Sequence, residues 1–379
     1  MFYRRLKRIL PVVFALRQRH LAFLVCAAAN EVSESCDQRG DSLVKCTAKN
    51  QFVNLGNMRK GAEGFKLEVS DGLLLYYDRF SFYSQKVVMA LHEKNLAFDS
   101  KIVNLIKNEQ YQPWYLFLNP RGEVPVLQDT GKIIPDSARI IDYLEDNFSN
   151  GDTPRLIPMD QGAEVRQRVT HFRHILQKAP AGMLTTGAML NQHLLKNPKS
   201  PFFAPIRKAL ANAEKNSGKH LREYAEKNPE AKEILLKKAS VREEQYKQLS
   251  DEKNFRDVLN QVHTILDEIE AELEKHKGDK EDWWLCSDRF TIADVELTIL
   301  LIRISQLGLE HIFWSSGKRP CIEKYYERVK ARDSFKKTVP GTLVLLKTIL
   351  MSQAPIVFGV VAAVALVVGG AIIAKKYIA

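Results

Sequence analysis

The fold of this chain follows from residues 73–94, which read Leu73-Leu-Leu-Tyr-Tyr-Asp-Arg-Phe-Ser-Phe-Tyr-Ser-Gln-Lys-Val-Val-Met-Ala-Leu-His-Glu-Lys94. The apolar run at 73–77 predicts a strand, which gives way to a polar corner at Asp78. From Ser84 onward, apolar residues recur at the three- and four-residue spacing of an amphipathic helix. The stretch therefore predicts a strand that turns directly into a helix.

The corner carries two hydroxyl groups, on Ser81 and Ser84, at the N-terminus of the predicted helix. Backbone N–H groups without partners and the positive end of the helix dipole favour an anion there, for example a thiolate or a carboxylate. A purely structural interpretation is also open, in which Ser84 is the N-cap of the helix and contributes about 1 kcal/mol to its stability. The corner alone does not separate a ligand site from a helix cap.

Length and charge limit the function classes that need to be considered. The chain has 379 residues, of which 45% are hydrophobic, enough for two or three domains with cores of their own. Its net charge is +11, but residues 1–66 hold twelve Lys and Arg against five Asp and Glu, which leaves only +4 for the other 313 residues. The body of the chain lacks basic runs with interleaved aromatic residues, so we expect no nucleic acid partner.

The placement of cysteine and histidine argues against a disulfide framework and against a metal site. The five cysteines are scattered and form no CxxC pair, which indicates a reducing compartment. His171 and His174 lie three residues apart on a predicted helix, but no Glu-x-x-His motif accompanies them. We interpret both as structural residues and expect no metal.

Residues 1–66 are predicted to be a basic, disordered leader. The first thirty residues contain six Lys and Arg, and no acidic residue precedes Glu31, as in a mitochondrial transit segment. The stretch at 31–66 is polar and has no periodicity, which predicts disorder. An over-long gene model is the open alternative.

From residue 67 the pattern becomes regular and predicts an α/β domain at 67–148 with the element order β-α-β-α-β-β-α. After the first helix, the predicted elements include a strand at 98–105, a helical turn at 114–118, a strand at 132–134 and a helix that begins at Asp136-Ser137. Pro125 interrupts an apolar run, and a proline cannot donate to a central ladder, so it belongs at a strand start or an edge. A cis Val124–Pro125 bond is one way to fit it there.

The second half of the chain predicts a helical domain at 165–338, after a linker at 149–164. One amphipathic helix opens the domain near residue 165, and a longer one runs from about 255 to 273. Between them lies a Lys- and Glu-rich insertion at about 192–254, broken by prolines. We interpret it as a solvated helical hairpin without a catalytic role, and a docking arm for another protein is the functional alternative.

These motifs resemble those of the glutathione S-transferases. The corner with its hydroxyls, the Glu-Val-Pro-Val at 123–126 and the Asp-Ser-x-x-Ile-Ile-x-Tyr-Leu at 136–144 are similar to the thioredoxin-like domain of that family. Trp284-Leu-Cys-Ser-Asp-Arg-Phe-Thr-Ile-Ala-Asp-Val295 resembles the entrance of its sixth helix, where Thr291 and Asp294 would form a structural capping box. The resemblance implies an α/β thioredoxin-like N-terminal domain followed by an all-α glutathione S-transferase C-terminal domain.

The same resemblance implies a glutathione site. The implied residues are Ser81 or Ser84 as hydrogen-bond donors to the thiolate, Val124 and Pro125 as backbone partners of the tripeptide, and Asp136 and Ser137 for its γ-glutamyl end. One charge-assisted hydrogen bond of about 1.5–3 kcal/mol would lower a thiol pKa by about one to two units. Neither corner position is a cysteine, so thiol–disulfide exchange of the glutaredoxin type is excluded there.

The C-terminal segment predicts a single membrane span. Residues 356–374 carry no charge over nineteen positions and are followed by Lys375 and Lys376. As a helix this segment is about 28 Å long, close to the thickness of the hydrocarbon core. Because the span ends the chain, its insertion must be post-translational and the globular part must stay in the cytosol. A shorter hydrophobic segment at 339–350 is expected on the membrane surface or under the anchor.

A transferase fold with a long insertion and a tail anchor resembles the ganglioside-induced differentiation-associated family. The resemblance runs from residue 67 to the C-terminus and implies a tail-anchored protein of the mitochondrial outer membrane that promotes fission. The alternative is an active transferase that conjugates glutathione to electrophiles, so glutathione is either a ligand or a substrate. Small residues in the anchor, such as Gly359 and Ala363, leave a homodimer open.

Overall fold

The computed structural model of the chain describes residues 72–151, 153–276, 278, 283–341 and 344. The predicted leader at 1–66, the predicted anchor at 356–374 and most of the segment at 339–350 lie outside these residues. Among the described helices, none combines the length and the apolar character that crossing a bilayer requires.

The N-terminal domain contains a four-stranded mixed sheet. Its elements are β1 (Leu73–Tyr77), α1 (Phe82–Glu93), β2 (Asp99–Ile102), α2 (Pro113–Leu118), β3 (Val126–Asp129), β4 (Lys132–Pro135) and α3 (Ser137–Asn147). The strand order is β2-β1-β3-β4, in which β1 is parallel to β2 and antiparallel to β3, and β3 is antiparallel to β4. This order confirms the predicted thioredoxin-like fold.

Local capping moves two boundaries away from the predicted positions. Helix α1 begins at Phe82, earlier than predicted, because Ser81 caps its first turn. Strand β2 ends at Ile102 rather than near residue 105. The cause is the side chain of Asn104, which accepts the N–H of Lys107 at 3.1 Å and starts a 3₁₀ turn.

The C-terminal domain is helical in its described residues, as predicted. Its helices are α4 (Gly162–Gln177), α5 (Ala181–Leu190), α6 (Ala204–Lys227), α7 (Lys232–Leu249), α8 (Glu252–Lys275), α9 (Ile292–Leu307), α10 (Glu310–Phe313), α11 (Pro320–Lys330) and α12 (Asp333–Thr338). Short 3₁₀ turns lie at Gln192–Leu194 and Pro229–Ala231.

Helix α9 is buried along its whole length, and Asp294 caps its N-terminus. The Oδ2 atom of Asp294 accepts the N–H of Thr291 at 2.8 Å and the hydroxyl of Thr291 at 2.7 Å. Its Oδ1 atom accepts the N–H of Leu285 and the hydroxyl of Tyr325, each at 2.9 Å. The capping box at Thr291 and Asp294 therefore also ties the preceding loop and α11 to this helix.

A buried ion pair joins the N-terminal domain to the linker. Lys94, which follows α1, has no exposed surface and donates to Glu145 Oε1 at 2.6 Å and to the carbonyl of Pro154 at 2.9 Å. Glu145 in turn accepts the N–H groups of Leu156 and Ile157, each at 3.1 Å. The chain leaving α3 is therefore fixed before it enters the helical domain.

The insertion forms a hairpin of α6 and α7 that packs on the N-terminal domain. An apolar cluster joins them and consists of Tyr111, Leu116, Ala213, Leu221, Ala225, Ala231, Leu235 and Ala239. The rings of Tyr111 and Tyr224 lie 5.3 Å apart within this contact. The expectation of a solvated hairpin is thus wrong for its inner face, since small and apolar residues at helical spacing cover the segment before α2.

Loss of the capping box should lower the stability of the helical domain. Thr291→Ala is expected to reduce the free energy of unfolding by about 1–2 kcal/mol, because an N-cap hydroxyl is removed. Urea denaturation of soluble residues 67–338 measures this change. Thr264→Ala is the matched control, since Thr264 is exposed on α8, and should cost less than about 0.5 kcal/mol. Equal values for the two variants would contradict the stabilising role of the box.

Asp78, which follows β1, should make stability depend on pH. Burial raises the pKa of its carboxyl from 3.8 to about 6, against opposing backbone hydrogen bonds such as that from the N–H of Phe80 at 2.8 Å. Because the folded state binds this proton more tightly, its stabilising contribution is complete below pH 3.8 and is lost as the pH rises through about 6. We expect the free energy of unfolding of the wild type, relative to Asp78→Asn, to fall by about 2 kcal/mol between about pH 4.5 and pH 7. A difference that stays flat in urea titrations across this range would exclude the raised pKa.

Candidate functional site

The corner between β1 and α1 places both of its serines in the interior. Ser81 is 1% exposed, and its Oγ accepts the N–H of Ser84 at 3.3 Å, so Ser81 is the N-cap. The interpretation of Ser84 as the cap is wrong, because the helix already begins at Phe82. Ser84 is fully buried, and within the described part of the chain its hydroxyl has no hydrogen-bond partner.

A buried arginine from the helical domain holds this corner. Arg303 of α9 is 1% exposed and donates to the carbonyl of Phe80 at 2.8 Å and to the hydroxyl of Thr185 at 3.4 Å. Burial lowers the pKa of its guanidinium to about 10, while the nearby ionisable groups of Asp78 and Tyr83 act in the opposite direction. The corner therefore depends on a cation that the sequence separates from it by more than two hundred residues.

The proline predicted at a strand start lies directly before β3, and the Val124–Pro125 bond is cis. The backbone that enters this bond is held at Glu123, whose carbonyl accepts the hydroxyl of Tyr115 at 2.7 Å and the side-chain amide of Asn119 at 2.9 Å. Val124 itself is 3% exposed. The loop therefore presents a fixed main chain next to the sheet.

Asp136 and Ser137 begin α3, as the sequence predicted. The Asp136 carboxylate is the cap of this helix, since its Oδ1 accepts the N–H of Ala138 at 3.0 Å and that of Arg139 at 3.1 Å. The φ angle of Asp136 is +78°, a conformation that a non-glycine residue rarely adopts. Ser137 follows at 7% exposure.

A cleft of about 240 Å³ lies at the start of α3. Its lining includes Tyr83, Lys86, Asp136, Ser137, residues 179–183, Gln245 and Glu296. The structure thus brings Asp136 and Ser137 together at one site, whereas Ser81, Ser84, Val124 and Pro125 do not line it. Tyr83 is the corner residue that reaches the cleft.

Lys86 and Glu296 also line the cleft and were not among the residues predicted from the sequence. Lys86 of α1 and Glu296 of α9 form an ion pair of 2.5 Å across the domain boundary, with side chains 5% and 1% exposed. A signal was present in the sequence, because Glu296 is a charged residue within a largely apolar helix, where a buried charge needs a partner. Its partner could not be identified from spacing, since the two residues lie on different domains.

The insertion also reaches this region. Gln245 of α7 lines the cleft, and Lys238 of the same helix donates to Glu123 Oε1 at 2.9 Å and to the carbonyl of Arg121 at 3.0 Å. Both side chains of the Lys238–Glu123 pair are largely buried, at 11% and 17% exposure. The loop before the cis bond is therefore tied to the insertion.

A second cavity, the Cys286 thiol and a possible metal site are weaker candidates for a functional site than the cleft at α3. A more open cavity of about 530 Å³ is lined by residues of α8 and α10 and by Lys318 and Arg319, and none of the predicted site residues lines it. Burial raises the pKa of the Cys286 thiol, which makes it a poor nucleophile. Among the described residues, no group of three or more His, Cys, Asp and Glu could hold a metal ion.

Each of the two domains matches the model of a known protein family. Residues 75–152 match the family described as "Glutathione S-transferase, N-terminal domain", and residues 241–328 match "Glutathione S-transferase, C-terminal domain". The crystal structure of the β-etherase LigF from Sphingobium sp. strain SYK-6 is similar to this chain with a TM-score of 0.50 at 21% identity, over 70% of this chain and 98% of that one. That likeness shows the fold.

Two curated relatives are similar over most of their length. The glutathione S-transferase TCHQD of Arabidopsis thaliana is 26% identical over 70% of this chain and 88% of its own length. Ganglioside-induced differentiation-associated protein 1-like 1 of Homo sapiens is 34% identical over 275 residues, which cover 71% of this chain and 74% of that protein. Because this human relative is matched over most of its length at that level of identity, the chain belongs to the ganglioside-induced differentiation-associated protein family.

Proposed function

We propose that this chain is a glutathione-responsive protein of the mitochondrial outer membrane that promotes fission of the mitochondrial network and binds glutathione with little turnover. One observation carries the ligand part of the proposal, namely that Asp136 and Ser137 begin α3 at the edge of a cleft. Family membership and the apolar tail at 356–374 support the location and the cellular role.

A ligand carboxylate is favoured at the start of α3. The positive end of the helix dipole attracts negative charge, and Ser137 adds a hydroxyl at the same place. The N–H groups of Ala138 and Arg139 are not offered to the ligand, because Asp136 Oδ1 already accepts both. The positive φ of Asp136 costs conformational energy, and such strain is concentrated at functional sites. The γ-glutamyl carboxylate of glutathione matches this position in charge.

The corner geometry favours binding over catalysis. To stabilise a thiolate, a hydroxyl must come within hydrogen-bond distance of the sulfur. Ser81 is 1% exposed, Ser84 is fully buried, and the cleft is lined by neither. Slow conjugation is the expected consequence.

An active transferase is the second candidate function, and one observation favours it. Tyr83 reaches the cleft from the corner, and its phenol could donate a hydrogen bond to a thiolate in place of the serines. In this alternative the chain conjugates glutathione to electrophiles, and the membrane anchor determines only where it does so.

The proposal extends to the partners of the chain. The globular domains would face the cytosol, held by the span at 356–374, and anchor pairing would allow a homodimer. The outer face of α7 carries Ile234 and Val241, both 41% exposed and seven residues apart, which supports a protein partner at the 192–254 insertion. The nearly balanced charge of residues 67–379 supports no nucleic acid partner.

Removal of residues 356–379 should leave a folded protein in the cytosol, because this segment contains the only uncharged stretch of membrane length in the sequence. Cell fractionation after a carbonate wash measures the change. Removal of residues 1–66 is the control and should leave the protein with mitochondria. If the protein without its tail still pelleted with mitochondria, the basic leader would be the targeting element and the anchor proposal would be wrong.

Soluble residues 67–338 should bind glutathione weakly, and Ser137→Ala and Asp136→Ala should each weaken binding further. Ser137→Ala removes a hydroxyl partner from the ligand carboxylate, which costs about 1.5–3 kcal/mol, so the dissociation constant should rise by about ten- to a hundredfold. Asp136→Ala acts indirectly, because it removes the cap that holds the start of α3 and with it Ser137. Isothermal calorimetry measures this constant. Ser240→Ala, at an exposed position on α7, is the matched control and should leave it unchanged.

Variants at the corner test whether the chain only binds glutathione or also conjugates it. Ser81→Ala and Ser84→Ala should leave the network-shaping activity in cells intact, and conjugation of an aryl halide by the wild type should be slow. Tyr83→Phe tests the second candidate function, since it removes the phenol that reaches the cleft. Robust conjugation that disappears together with network activity in any of these variants would make the chain an enzyme first.

A further inference from the structure

Two buried lysine–glutamate pairs, Lys94–Glu145 and Lys86–Glu296, differ in how many hydrogen-bond partners the protein gives their charged groups. The Lys94 pair serves as the reference for the comparison. Its Nζ has three partners: Glu145 Oε1 at 2.6 Å, Ser149 Oγ at 3.1 Å and the carbonyl of Pro154 at 2.9 Å. Glu145 accepts two further backbone N–H groups, from residues 156–157. All three donors of Lys94 and three acceptor positions of Glu145 are thus occupied by the protein, as expected for a structural ion pair.

The pair of Lys86 and Glu296 is not satisfied in this way. Its two charged atoms lie 2.5 Å apart, and Lys86 Nζ also lies 4.6 Å from the ring centroid of Phe82 and 5.4 Å from that of Tyr83. Within the described residues, no hydrogen bond of good geometry reaches Glu296 Oε2. Both side chains are nearly withdrawn from solvent, and neither charge has the set of protein hydrogen bonds that surrounds the Lys94 pair.

Stability does not account for this arrangement. A buried ion pair is often no better than two apolar side chains of similar size, because desolvation offsets the attraction between the charges. Replacement of both Lys86 and Glu296 by apolar side chains of similar size would therefore be expected to cost little stability. The feature that distinguishes Lys86 and Glu296 from the reference pair is their position in the lining of the cleft with Asp136 and Ser137.

We propose that Lys86 and Glu296 recognise a zwitterionic α-amino acid group, in which Lys86 binds the carboxylate together with Ser137 and Glu296 binds the ammonium. The inference rests on the proposed function, since the γ-glutamyl end of glutathione carries such a group. Binding replaces one ion pair by two, so the charge in the cleft remains balanced. Asp136 does not compete for the ammonium with its Oδ1, because that atom already caps α3.

The size of the cleft agrees with this ligand. A volume of about 240 Å³ is below the roughly 300–1,000 Å³ of clefts that enclose drug-sized molecules, so it suits one end of a tripeptide rather than all of it. The pair would therefore determine specificity for the γ-glutamyl end, without a direct role at the sulfur.

Three ligands test the assignment by calorimetry on the full chain in detergent micelles. They are glutathione, glutaryl-cysteinylglycine, which lacks the ammonium, and 4-aminobutyryl-cysteinylglycine, which lacks the α-carboxylate. The wild type should prefer glutathione to each analogue by about tenfold or more, since each lacks one charge-assisted contact. Glu296→Gln should abolish the preference over the glutaryl ligand, and Lys86→Met should reduce the preference over the aminobutyryl ligand.

The double variant Lys86→Met/Glu296→Gln keeps the test decisive if a single variant fails to fold, because it leaves no buried charge without a partner. It should remain folded and should lose the preference over both analogues. Glu93→Gln is the matched control, since Glu93 pairs with Arg332 at 2.6 Å across the same domain boundary but does not line the cleft. Its preferences should equal those of the wild type.

The outcomes separate this inference from the proposed function. If the variants bind all three ligands more weakly by the same factor, or keep the wild-type preferences, the pair is structural and the inference fails while glutathione binding stands. If the wild type binds no glutathione, both the inference and the ligand part of the proposed function fail.

Discussion

The structure depends on the burial of α9, a helix whose residues are apolar on nearly every face. Such a helix is stable in water only when other elements cover it on all sides. Here α1 of the N-terminal domain and α4, α5 and α11 of the helical domain contact it. Separation of the two domains would expose this apolar surface, so the boundary between them is part of the core. The candidate site lies at that boundary, between elements that pack on α9.

The three charged residues on α9 have three different roles, and the role of each residue follows from the groups around it. Asp294 receives four hydrogen bonds and holds the entrance of the helix. Arg303 donates to the carbonyl of Phe80 and fixes the corner that begins α1. Glu296 faces Lys86 in the cleft and retains an oxygen without a well-formed hydrogen bond. Because a buried charge needs a partner, Glu296 depends on Lys86, and the ligand inferred above would supply a second partner.

The insertion changes the environment of the site as well as the outline of the helical domain. Its inner face packs on the segment before α2, Lys238 is tied to the loop that carries the cis bond, and Gln245 enters the lining of the cleft. A displacement of α7 would therefore alter both the cleft and the backbone next to β3. The shape of the candidate cleft is thus coupled to a segment whose outer face is open to solvent.

The thioredoxin-like fold was implied by the resemblance to a known family. The sequence by itself determined the element order, the capping box at Thr291 and the helix start at Asp136 and Ser137. These features depend on hydrogen bonds and apolar spacing within a few residues, so local patterns record them. Tertiary structure alone decided that Ser81 and Ser84 are buried, that the insertion packs inward and that α1 and α9 share a charged pair. Such contacts join residues far apart in the chain, and they depend on which apolar faces cover one another, a choice that local periodicity does not encode.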